Sequence, residues 1–220
     1  MSSIYDKSSL VLIPSGTKTS KVYSQKPTNG DGDFDFTRST AATRIAANGN
    51  IEKETQNLLL QSNTFNTTWT QNGVSVTGNQ TGYNGNDAWL LESTGASGSL
   101  RQSISYSSVI CYSFYAKAGS ANYVRLRLDA ATQVNAWFNL SNGSVGTLSD
   151  GISSSMESVG NGWWRVSVTA NATSLTTIRV YPSPTDAGGN SSGDNIYIQD
   201  AQVNQGLIAQ EVITTTTTAL

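Results

Sequence analysis

Aromatic rings and guanidinium groups recur at alternate positions along several short apolar stretches of this chain. Tyr123, Arg125 and Arg127 alternate with Val124, Leu126 and Leu128; Trp163 and Arg165 alternate with Trp164 and Val166; Trp137, Arg179 and Tyr181 lie in similar runs. An extended strand sends successive side chains to opposite faces, so each set shares one face while the aliphatic set takes the other. A ring can stack on the apolar C–H face of a sugar while neighbouring guanidinium and phenol groups take its hydroxyls. The same residues would serve as a subunit contact, and a parity shift of one on any strand would turn them into core.

Other chemistries are poorly supplied. The chain has no histidine and one cysteine, Cys111, which excludes Ser-His, Cys-His and His-metal arrangements, disulfides within the chain and a thiolate zinc cluster. Asp31, Asp33 and Asp35 alternate in NGDGDFD, but the glycine spacing and the missing distal glutamate do not fit a calcium loop of the EF-hand type. Asx turns explain them. Glycoside hydrolysis needs two carboxylates across a cleft, and the core region holds only Glu92 and Glu157 as glutamates, neither marked as desolvated. The chain is therefore expected to be a binding or structural protein, not an enzyme, with no cofactor.

Charge narrows the partners further. Charged residues are 13% of 220, and the net charge is -2. Nucleic-acid binding by counterion release, which needs a basic face, is not expected. The opening MSSIYDKSSLVLIPSG has an apolar run of only Leu10 to Ile13, broken by Pro14, and reads as neither a signal peptide nor a membrane span. The expected place is a cytosolic compartment until assembly.

The elements that must carry these residues are short strands. Gly, Ser, Thr and Asn are plentiful and helix formers sparse. Alternation predicts strands at 58–62, 74–77, 88–92, 99–106, 109–117, 123–128, 135–140, 152–159, 163–170, 177–181 and 195–203. SNGSVG, GNG and the 186–194 loop are among the separators. Gly160-Asn161-Gly162 predicts a tight turn before Trp163. On 109–117, Ile110, Tyr112, Phe114 and Ala116 face one way and Cys111, Ser113, Tyr115 and Lys117 the other. This pattern predicts an all-β fold, an antiparallel two-sheet jelly-roll sandwich over residues 57–205. Residues 1–56 read as an extended N-terminal arm, with a hairpin turn at Asn48-Gly49. Residues 206–220, ending ITTTTTAL, read as an extended C-terminal tail lying on a neighbour or disordered.

Several phrases carry a family resemblance. Phe36-Thr37-Arg38-Ser39, Ala42-Thr43-Arg44, Asn48-Gly49, Ile51-Glu52 and the Asn57-Leu58-Leu59 phrase, in that order, resemble the opening module of many tailed-bacteriophage virion proteins. YSFYAKAG at 112–119, ESVGNGWWRVSV at 157–168 and IYIQDAQVNQG at 196–206 resemble the carbohydrate-binding-module-like jelly rolls that follow that opening in phage fibre and tail proteins.

The resemblance implies a virion structural protein, a capsid-attached head fibre or a tail-fibre component. The arm would dock on other virion proteins of the capsid or tail, and the sandwich would be displayed as a homo-oligomer, a trimer by preference. The alternative is a receptor-binding module gripping host-surface polysaccharide through its aromatic and arginine face. A module from a cellular polysaccharide system is a third reading, which a secretion signal would have favoured. Jelly rolls of this kind often hold a structural calcium, and Asp200 in IYIQDAQ stands where one carboxylate would be; a plain strand-end aspartate is the competing reading.

Overall fold

The computed structural model describes residues 56–219 together with five short strand segments nearer the N-terminus. The chain divides into two compact units, residues 1–54 and 55–220. In the first, β1 (Thr17–Lys18), β2 (Lys21–Val22) and β3 (Phe34–Asp35) form a small antiparallel sheet. β4 (Thr43–Ile45) pairs with β5 (Ile51–Lys53), so the strands flanking Asn48-Gly49 form the expected hairpin. The 10–13 apolar run and the Asn29 to Asp33 turn lie outside the described residues.

The second unit is all strand and turn. Its strands are β6 (Thr70–Asn72), β7 (Val74–Thr81), β8 (Asp87–Ser93), β9 (Ser99–Tyr106), β10 (Val109–Ala118) and β11 (Tyr123–Asp129). They are followed by β12 (Val134–Asn139), β13 (Ser144–Leu148), β14 (Ser153–Gly160), β15 (Trp163–Asn171), β16 (Leu175–Ser183) and β17 (Asn195–Gln205). Sheet I has the order β14-β15-β10-β17-β8-β7 and sheet II the order β13-β12-β11-β16-β9-β6, every pairing antiparallel. The chain switches repeatedly between the sheets, as a jelly roll does.

The core lies between the inner faces. Sheet I contributes Ile110, Tyr112, Phe114, Val166, Val168, Ile196 and Val203, and sheet II contributes Leu100, Val124, Leu126, Leu128, Phe138, Ile178 and Val180. These are the apolar partners of the alternation, which the burial of both inner faces holds in register. Asn161 and Gly162 have φ of 53° and 77°. Both central residues are thus left-handed, as the tight β14–β15 hairpin requires.

Three sequence expectations need correction. Residues 58–62 are not a strand: Leu58 N–H bonds Val203 C=O, and Gln61 and Ser62 N–H bond the carbonyls of Thr216 and Thr215. The SNGSVG segment, read as a separator, carries most of β13. The tail, expected on a neighbour or in disorder, folds back onto its own sandwich. Thr215 is buried, its hydroxyl donating to Leu59 C=O at 2.6 Å and its N–H to Ser62 Oγ at 2.9 Å.

Asn57, from the Asn-Leu-Leu phrase, ties these pieces together. Its Oδ1 accepts from Leu59 and Val203 N–H, and its Nδ2 donates to the carbonyls of Ala201 and Ile213. One fully buried amide thereby joins the domain entry, the last strand and the tail.

Candidate functional site

The outer faces of the two sheets differ in what covers them. On sheet I, the outward residues of β15, β10 and β17 form cross-strand rows: Thr169, Cys111 and Asn204; Ser167, Ser113 and Gln202; and Arg165, Tyr115 and Gln199. The tail runs over these rows. Thr169 Oγ1 donates to Leu207 C=O at 2.9 Å, Asn204 Nδ2 to Ile208 C=O at 3.0 Å, and Gln202 Oε1 accepts from Ile213 N–H at 2.8 Å. Arg165 donates to Gln210 C=O and stacks over Tyr115, 5.6 Å from guanidinium carbon to ring centre. This polar face is occupied by the protein's own backbone.

Trp163 belongs to that covered face. It is 2% exposed and packs in a small outer cluster with Tyr115, Tyr83, Val159 and Val212. The alternation assigned its direction correctly, but the tail and the β7–β8 connection bury it. Trp163 and Arg165 therefore share no surface with the other six residues singled out by sequence.

Those six come together on the outer face of sheet II. Register places Trp137, Arg125 and Tyr181 side by side on β12, β11 and β16. The Arg125 guanidinium lies between the rings, 4.8 Å from the Trp137 centroid and 4.7 Å from that of Tyr181, and bonds Asn135 Oδ1. Burial lowers the Arg125 pKa, Tyr181 opposes that shift, and the charge of Arg127 adds to it. Trp137 and Tyr181 are only 8% and 6% exposed. Trp137 Nε1 donates to Gly188 C=O, in the β16–β17 loop that rims this face, and Asp186 of the same loop binds Thr147. The rings are thus already stacked and are not open platforms.

The neighbouring row is Asn135, Arg127, Arg179, Arg101 and Thr70. Asp129 Oδ1 takes Arg127 Nε and Oδ2 takes Arg179 Nε, each at 2.6 Å. Burial alone would raise the Asp129 carboxyl, but the hydrogen bonds from Arg179 and Arg127 outweigh it and hold the pKa below its ordinary value. On the other side of Arg125, Tyr123 Oη accepts from Asn139 Nδ2 at 2.9 Å. Arg101 was missed in the sequence, because its strand is mostly polar and lacks the aromatic partner that drew attention to β11 and β16.

A cleft of about 970 Å³ opens at the β7–β8 side of sheet I, lined by Asn63, Asn84, Asn86, Asp87, Trp89, Glu211 and the Tyr83–Tyr115 stack, whose ring centres are 3.8 Å apart. Asp200 lines it too. It sits at a β17 bulge with φ 51° and accepts a hydrogen bond from Tyr83 Oη. Burial pushes its pKa up, with hydrogen bonds from Tyr83 and Gln199 opposing. Among the described residues no three Asp, Glu, Cys or His side chains are grouped to hold a metal.

No protein-family model matches the chain. No curated protein matches it in sequence. Among solved structures it is similar to the Clostridium thermocellum xylanase 10B CBM22-1–GH10 modules complexed with xylohexaose, at 16% identity and a TM-score of 0.41, over 72% of this chain and 29% of that one. It is similar to the enzymatically active domain of bacteriophage CBA120 tailspike protein 4, at 16% identity and a TM-score of 0.43, over 69% of this chain and 21% of that one. A third similar structure is TmCBM61 in complex with β-1,4-galactotriose, at 14% identity and a TM-score of 0.41, over 68% of this chain and 99% of that one. The matched region thus spans less than a third of each of the first two structures.

Proposed function

We propose that this chain is a structural component of a tailed-bacteriophage particle, a head-fibre or tail-fibre protein, that also contacts host-surface polysaccharide. The N-terminal unit anchors it to other virion proteins, and the jelly roll is displayed as an oligomer whose sheet II face meets the glycan. The protein acts by binding, not turnover, and its place is the virion after assembly in the host cytoplasm.

One observation supports the choice of face. Along β15 and β17 the outer surface of sheet I is covered by the chain's own tail, whereas that of sheet II keeps guanidinium, phenol and amide groups partly accessible around Arg125. The order of phrases from Phe36 to Leu59 supports the virion assignment.

The test uses fluorescently labelled full chain on intact host bacteria. Cell binding should be competed by the purified surface polysaccharide of that host. A chain lacking residues 1–54 should bind cells equally but fail to join particles when supplied in place of the full chain. Binding that polysaccharide does not compete would refute the glycan role, and normal incorporation without residues 1–54 would refute the anchor.

A further inference from the structure

Three arginines stand in one cross-strand row of sheet II. Arg127 on β11 is directly opposite Arg179 on β16, and Arg179 is directly opposite Arg101 on β9. Directly opposed residues in an antiparallel sheet have Cβ atoms about 5 Å apart, and like charges so placed destabilise the pairing. Arg125 lies one step along β11 on the same face. Among the described residues one carboxylate, Asp129, answers this cluster, and it engages the Nε groups of Arg127 and Arg179. The Gln133 amide, oriented with its oxygen inward, adds a neutral acceptor for Arg127. Among the described residues Arg101 makes no hydrogen bond or ion pair.

The imbalance is local. Residues 55–220 contain six cationic side chains against nine Asp and Glu, yet Arg101, Arg125, Arg127 and Arg179 share this face. A domain of net negative charge has thus gathered most of its cations where they repel one another. The side chains of Arg127 and Arg179 remain 26% and 20% exposed. Guanidinium forks match carboxylates and other planar or tetrahedral oxyanions.

We infer that the Arg101–Arg179–Arg127 row is an acidic-glycan subsite, binding carboxylated sugar residues of a polysaccharide. The inference rests on the proposed glycan role of this face and adds the class of ligand. With Trp137 and Tyr181 already stacked against Arg125, recognition here runs through charge-assisted hydrogen bonds and not through open aromatic platforms. Nucleic acid is the poorer fit, since the surrounding domain is anionic and would repel a long phosphate backbone beyond the patch.

Affinity electrophoresis of the full chain tests this with paired probes: polygalacturonate against its methyl ester, and hyaluronan against its carboxyl-reduced form. At least one charged polymer should bind about tenfold or more tightly than its neutral partner, and binding should weaken with salt. Arg101→Gln and Arg179→Gln should each lower that affinity about tenfold, while Lys117→Gln on sheet I leaves it unchanged. Because Arg101 has no partner to lose among the described residues, its variant carries the test if Arg179→Gln fails to fold. Equal binding of charged and neutral partners, unaltered binding by Arg101→Gln, or equal affinity for duplex DNA would overturn the acidic-glycan assignment while leaving the glycan role standing in the first two cases. No binding to any of the four polysaccharides would remove both.

Discussion

Asp129 shows how one side chain sets the character of the candidate face. It sits between Arg127 and Arg179 and, among the described residues, is the only carboxylate bridging them. Its folded pKa is depressed, so folding gains stability where the carboxyl is ionised in both states, above the ordinary Asp value near 4. That contribution fades as pH falls through the lower folded value. Asp129→Asn should therefore lower the melting temperature by a few degrees at pH 7, and the gap to the parent should narrow steadily in thermal scans from pH 5 towards pH 2. A gap constant across that range would show that Asp129 acts through packing alone. Tyr112 illustrates the opposite use of a polar atom. Its ring fills the core, its hydroxyl has no partner among the described residues, and full burial raises its pKa well above the usual phenol range.

At the scale of elements, strands with a clean two-residue alternation were legible from sequence because burial of one face enforces the pattern. Tyr123–Asp129 is of this kind. Thr70–Asn72 was not legible, being polar throughout and paired only along the sheet II edge to Ser99–Arg101. Ser144–Leu148 was hidden for a similar reason, since its order comes from pairing with β12 at the opposite edge. Direction was read correctly for Trp163, but burial was not, because the segment that covers it lies more than forty residues away in the chain.

That covering segment makes a stability prediction. The tail's backbone satisfies Asn204, Gln202 and Thr169, and Thr215 closes it against residues 59 and 62. Ending the chain at Gly206 should cost about 2–4 kcal/mol in chemical denaturation, from several lost hydrogen bonds and newly exposed apolar surface. It should also redshift tryptophan emission as Trp163 meets water. A truncated chain of unchanged stability and emission would mean that the tail is not a structural part of the sandwich.

At the scale of the whole molecule, two sheets of equal strand number have unequal fates. Sheet I turns the outer face of β15 and β17 to the chain's own tail, and sheet II presents an arginine-rich face with, among the described residues, one compensating carboxylate. The Trp137, Arg125 and Tyr181 grouping was foreseeable only in part: alternation gave each residue its direction, while the adjacency of β12, β11 and β16 is set by long-range pairing. Register likewise brought Arg101 into the site.

Arginine-specific labelling with phenylglyoxal, read by mass spectrometry on the full chain at its native oligomeric mass, separates a ligand face from a subunit contact. Arg101, Arg127 and Arg179 should react readily in the free protein and Arg165 slowly, and a bound acidic polysaccharide should protect the first three alone. Protection of those three in the absence of any polysaccharide, relieved when the oligomer is dissociated, would contradict the ligand-binding role and make the sheet II face a contact between subunits.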